Sequence, residues 1–338
     1  MSYLLDNSVK NSTITAYRDL GAVAGCISST MTIDGNTAKD SKVVVDQIID
    51  GEYGGSSTVN AGAVVGRDQS DNIADDEFAA INAAAEGVTI VTTSTPDETT
   101  TLAELVNVAG AVVDVPAGEY TFPSKEIAAG VTINCAEGTV FKGNSKLNIK
   151  GSTVIGATFS NPSGTAVDQT INGTFKNCVF EGSNALRWCY AGETVVFENC
   201  VFSGNVYGVH FDGGANEVLF KNCTFSGFNA FGGAITMATF DGCTFKSNGK
   251  SGYNGANLWG NTTMIDTEFT FDGAASSEWV DICGSSTGVY TFNGCTVCGE
   301  PMPIETIGVY SSDSKDNEVD ITFNGVYYED YKSSTTAL

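Results

Sequence analysis

Positive charge is scarce in this sequence, and the scarcity removes whole classes of partner. Against 40 Asp and Glu stand 16 Lys and Arg and a single His, a formal net charge of −24. A chain this acidic repels DNA, RNA and anionic lipid, which argues against a nucleic-acid ligand. Long apolar runs are missing as well. The nearest, Leu105 to Val115, is interrupted by Asn107 and Asp114, and falls short of the roughly 18 residues that span a bilayer, so no membrane insertion is expected. There are 6 prolines against 39 glycines. With abundant Thr, Asn, Val and Phe, that composition suits many short strands joined by tight turns and leaves little room for long helices. The opening Met1-Ser2-Tyr3-Leu4-Leu5-Asp6 lacks the basic start and apolar stretch of a secretion signal. Arg18 and Asp19 spoil the apolar segment that a lipoprotein box at Val23-Ala24-Gly25-Cys26 would need.

What is present is a repeat. Phe175-Lys176-Asn177-Cys178-Val179-Phe180 recurs as Phe197-Glu198-Asn199-Cys200-Val201-Phe202 and as Phe220-Lys221-Asn222-Cys223-Thr224-Phe225, with weaker copies on both sides. The equivalent positions are Cys135, Ala157, Cys178, Cys200, Cys223, Cys243, Thr267, Cys295 and Val326. Steps of roughly 20 to 24 residues, lengthening toward the end, are too short for a helical hairpin and too long for a hexapeptide repeat, but fit one three-strand coil of a large solenoid. Phe, Cys and Phe at i, i+3 and i+5 break strict alternation. Two short strands meeting at a bend explain the spacing, with the small residue at i+2 turning the corner. The fold class expected is therefore all-β: a right-handed parallel β-helix of about nine coils. Phe and Cys should each stack on their copies about 4.8 Å away, and Asn177, Asn199 and Asn222 should form a hydrogen-bonded ladder.

Inward-facing Cys behaves as a small hydrophobe, so free thiols are expected, with Cys189, Cys283 and Cys298 left open to disulfide pairing. Metal ligation needs close-set Cys or His, and the chain offers only Cys295-x-x-Cys298 and the lone His210. Neither a metal nor another cofactor is expected.

Residues 1–72 lack the repeat and are expected to be an irregular N-terminal attachment or oligomerisation segment. The helix expected to cap the solenoid starts at Asp75-Asp76-Glu77 and carries Phe78, Ile81 and Ala85 on one side. Residues 73–330 form the β-helix domain and 331–338 a tail. The Asp-Asp helix start, the Val115-Pro116-Ala117-Gly118-Glu119-Tyr120 turn and the Asn-Cys-Thr-Phe units resemble the pectate-lyase-like right-handed β-helix superfamily, including bacteriophage tailspike and decoration proteins. That superfamily holds lyases, hydrolases, adhesins and inert particle parts, so function has to be argued from a site.

The resemblance implies that ligands lie along one strand face before the Asn-bearing bend. The segments assigned to it are Leu186 to Tyr190, Tyr207 to Asp212, Gly233 to Met237, Ala256 to Trp259 and Val280 to Cys283. Alternation points Leu186, Val209, Phe211, Ile235, Met237, Leu258 and Ile282 inward. Arg187, His210, Asp212, Thr236, Asn257, Trp259 and Asp281 then face solvent. Of these, Arg187, His210, Asp212, Asn257, Trp259 and Asp281 are the candidate glycan-binding residues, with Trp259 stacking on a sugar ring and the aspartates accepting hydroxyl protons. No catalytic residue is assigned. The Asn-Thr-Asp, Gly-His-Gly and Arg-Ile-Lys motifs of the polygalacturonase branch are absent, and Arg187 is the one arginine of the repeat region.

The function expected is a structural protein of a bacteriophage particle, a head decoration or a spike or fibre component. It would be a homotrimer docked on virion proteins through its N-terminal segment, able to bind a bacterial surface glycan. It would be made in the host cytoplasm without a signal peptide and released on the particle. A polysaccharide-degrading enzyme and a bacterial surface adhesin are the alternatives.

Overall fold

The computed structural model describes residues 2–16, 21–27, 31–45, 62–68, 80–92, 102, 106, 110–123, 127–213, 217–232, 236–246, 255–270, 280–283, 288–309 and 318–332. Nearly all of the structure described is β-strand, and the ladders are parallel apart from two short antiparallel pairs near the C-terminus. The chain divides into two compact units, Met1–Val140 with Ile149–Ala157, and Phe141–Asn148 with Thr158–Leu338.

In the first unit a single parallel row runs through Thr13–Ala16, Lys42–Val45, Thr89–Thr92, Val112–Val115, Thr132–Cys135 and Asn148–Ile155. The row reaches well into residues 1–72, which the lack of the Cys repeat had set apart as irregular. Their strands carry Val and Ile where later coils carry Phe and Cys, so they stack without the motif that advertises stacking. Of the expected capping helix, residues 80–83 are helical and 75–79 lie outside the described residues.

The β-solenoid has about seven turns. Nine were expected. Val326 is 53% exposed because it opens an antiparallel hairpin with Val319–Phe323, not a further coil. Each turn supplies three strand segments. One row, in which Phe175, Phe197, Phe220 and Phe240 are in register, ends at the Asn bend. The second, in which Phe159, Phe180, Phe202, Phe225, Phe245 and Phe269 are in register, follows it. The third carries Leu186, Phe211, Phe231, Leu258, Ile282 and Val309 before the next turn begins.

The spacing of Phe, Cys and Phe has the predicted consequence. All three are buried, and the rings of the first row stack at 5.3, 5.1 and 4.9 Å while those of the second stack at 5.1, 4.9, 5.1, 4.8 and 5.0 Å. The two columns meet edge to face, as Phe197 meets Phe202 at 82°, the arrangement that the ring quadrupole favours. Between them run Cys178, Cys200, Cys223 and Cys243, all free. Their thiols contact backbone carbonyls, for example Cys200 Sγ on Phe175 O at 3.3 Å. Hydrogen bonds with Cys200 and Cys243, then burial, hold the Cys223 thiol far above its ordinary range. Cys189, Cys283 and Cys298 are free thiols too.

The bend is turned by Asn177, Asn199 and Asn222, with φ of 53°, 54° and 50°. Asn reaches this left-handed region more readily than other side chains because its amide bonds locally. Asn199 Nδ2 donates to Asn177 Oδ1 at 3.2 Å, so the ladder exists at that step. Where the side chain is dispensable glycine takes over, as at Gly242 with φ 63°. Asn199→Ala is accordingly expected to lose about 1–2 kcal/mol in a denaturant titration and Asn199→Gly clearly less, since glycine carries no left-handed penalty.

Candidate functional site

The third row presents the candidate face, and a bulge shapes it. Asn184 pairs with Tyr207 and Cys189 with Phe211. Five steps on the strand Val179–Glu198 therefore match four on Val201–Gly213. The extra residue is absorbed where Trp188 sits at φ 54°, a conformation that costs a bulky residue roughly 1–2 kcal/mol. Leu186 and Cys189 both point into the core, and Trp188 is pushed out to 48% exposure. Simple alternation therefore missed Trp188, and with it Tyr190, which is 43% exposed.

Around this bulge the side chains form one connected group. Tyr190 OH donates to Asp212 Oδ2 at 2.7 Å, which raises the tyrosine pKa, and Asp212 Oδ1 lies 4.0 Å from His210 Nε2. The His210 ring lies against Trp188 at 4.5 Å and Tyr207 at 5.0 Å between centroids. The Arg187 guanidinium stands 5.4 Å from the centroids of the same two rings. Arg187 Nε and His210 Nδ1 are buried without a hydrogen-bond partner among the described residues. Burial lowers the His210 pKa, Asp212 opposing and Arg187 reinforcing the shift.

The six candidates thus separate. Arg187, His210 and Asp212 come together, but His210 is 8% exposed and faces its neighbours, not solvent. Asn257, Asp281 and Trp259 lie farther up the row. His210 pairs with Ala230, Ala230 with Asn257 and Asn257 with Asp281. Asn257 is buried, against expectation, and accepts a hydrogen bond from Cys283 Sγ at 2.9 Å. Burial, then the Asp281 charge, pushes the Cys283 thiol up to about 12. Asp281 is half-buried; Trp259 is exposed as expected.

The segment Gly233 to Met237 is not part of this face. Residues 233–235, including Ile235, lie outside the described residues, and Met237 opens the strand Met237–Asp241 of the first row. The coil's contribution to the candidate face is the end of Thr224–Phe231. Thr236 is exposed, but outside the face. Among the described residues no cluster of His, Cys, Asp and Glu is arranged to hold a metal, and no helix is long and apolar enough to cross a membrane.

Residues 124–225, which contain the bulge, Arg187, His210 and Asp212, match the family model described as the right-handed beta helix region. The fold is a right-handed parallel β-helix. No curated protein and no solved structure gives a match. The β-helix explains why the site is a stripe: neighbouring residues on the face come from successive turns about 4.8 Å apart, so a ligand bound along it would cross strands.

Proposed function

We propose that the protein is a non-enzymatic, glycan-binding structural component of a bacteriophage particle, a head decoration or a spike or fibre component. The observation that carries the glycan-binding part is the exposure of Trp188 and Tyr190 beside Asp212 and Arg187 on one β-helix face. Flat rings present an apolar surface to the C–H face of a sugar, while the carboxylate and guanidinium meet its hydroxyls. Solenoids commonly use one such face for binding. The particle part rests on the resemblance of the helix start, the Val-Pro-Ala-Gly turn and the Asn-Cys units to phage β-helices. A net charge of −24 also discourages adhesion to the packaged genome.

A polysaccharide-degrading enzyme is the second reading, favoured by the chain Tyr190, Asp212, His210. The separation of the candidate face's two aspartates, Asp212 and Asp281, weighs against it. Asp281 lies three rungs above the His210 level, about 14 Å away at 4.8 Å per rung, whereas glycosidase carboxylates stand roughly 5–10 Å apart. The test is to incubate the purified protein with surface polysaccharide of the bacterium that the particle infects. The expected result is a change in tryptophan fluorescence with no release of reducing ends, and detection of the protein in purified particles. New reducing ends would overturn the non-enzymatic reading. No binding would overturn the glycan-binding one.

A further inference from the structure

His210 is the sole histidine of the chain and occupies the centre of the binding face without being on its surface. Its ring lies against Trp188 and Tyr207, the two rings that also receive the Arg187 guanidinium. The groups facing it can be named strand by strand. From Val179–Glu198 come Arg187, Trp188 and Tyr190, and from its own strand Tyr207 and Asp212. On the other side Ala230 is its register partner, flanked by Asn229 and Phe231, none of which titrates. One fixed cation, one carboxylate and two phenols therefore surround a single switchable group.

We infer that His210 is a positioning residue whose protonation dismantles the aromatic platform formed by Trp188 and Tyr190. In the neutral form the imidazole is an uncharged wedge, and Asp212 is left to accept the Tyr190 hydroxyl at 2.7 Å. A proton on His210 does two things. It sets a second cation beside Arg187 against the same pair of rings, so one of the two has to leave. It also makes Nε2 a charged donor that draws in the carboxylate now 4.0 Å away, at the expense of the Tyr190 bond. Both changes remove supports from exposed rings.

Burial sets where this happens. It holds the imidazole below its ordinary 6.5, so the folded protein keeps His210 neutral at neutral pH. As pH falls the unfolded chain takes up this proton first, so folded stability declines from about 6.5 down to the lowered folded value and no further below it.

The consequence for ligand rests on the glycan-binding reading, but the test does not. In a chain carrying Trp259→Phe and Trp279→Phe, Trp188 is the remaining tryptophan. Its emission and its quenching by acrylamide are followed from about pH 8 to 4.5 beside the His210 ring resonance. The expected result is one Trp188 transition whose midpoint coincides with that of His210, below 6.5. His210→Gln should abolish it. Asp212→Asn, at an exposed position, should move both midpoints together to lower pH by removing the carboxylate that favours the cation. A Trp188 signal that stays flat while His210 titrates, or a transition that survives in His210→Gln, would overturn the inference. Coupled transitions in a protein that binds no glycan would refute the preceding reading and leave this one standing.

Discussion

Phe220→Ala is expected to cost about 3–5 kcal/mol, the largest loss of any single truncation in the β-helix core. Phe220 is fully buried and touches six rings: Phe197, Phe202, Phe211, Phe225, Phe231 and Phe240, at 4.9 to 6.4 Å between centroids. Removing it leaves a void at the crossing of both phenylalanine columns and the candidate-face row. The neighbours cannot fill that void, because each is itself held in register by the coils above and below. Urea or guanidinium titration reads the loss as a lower midpoint at unchanged slope. Tyr327→Ala supplies the contrast. That ring is 60% exposed on the terminal hairpin and its bond to Asp320 is exposed too, so only a small shift of the midpoint is expected. If Phe220→Ala fell in the same range, the stacked rings would not be what holds successive turns together.

Replacing Trp188 separates binding from folding. Trp188→Ala is expected to weaken polysaccharide binding by about 2 kcal/mol, roughly 30-fold, the scale of an exposed aromatic anchor. Trp188→Gly should weaken binding equally. The two should differ in stability, because φ at this position is 54°: alanine keeps the left-handed strain and glycine does not. Glycine is expected to be more stable than alanine by about 1 kcal/mol or slightly more. Fluorescence titration measures the first effect and denaturant titration the second. Equal stability of the two variants would mean that the bulge, not the tryptophan backbone, carries the strain. Full affinity in either would move the binding surface elsewhere on the protein.

That tryptophan also marks where a one-dimensional reading stops. Trp188 lies in a stretch that alternation assigns correctly at Leu186 and incorrectly two residues on, because one inserted residue reverses which side chains point out. Nothing local in Leu186-Arg187-Trp188-Cys189 announces the insertion. It becomes visible only when the strand is laid against Tyr207–Phe211. His210 and Asn257 were misjudged for a related reason. Each has the right parity to face out, but His210 lies against Trp188 and Tyr207 on neighbouring strands, and Asn257 accepts the Cys283 thiol. The segment Gly233 to Met237 was assigned to this face, but Met237 opens a first-row strand and the preceding Phe228-Asn229-Ala230-Phe231 fills that coil's place on the candidate face.

The amino-acid sequence alone determined the solenoid, the two phenylalanine columns, the thiol file between them and the Asn bends. These follow from a short motif that repeats itself, and a repeating residue must meet its own copy when turns stack about 4.8 Å apart. Only the tertiary structure decided that strands as early as Thr13–Ala16 also pair in parallel register, although the motif is absent there, and that Val326 turns away into a hairpin. It alone also gathered Arg187, Trp188, Tyr190, Tyr207, His210 and Asp212 into one group. Those residues repeat nothing, and their meeting depends on a register shift between neighbouring strands, a property of the pair that neither strand encodes by itself.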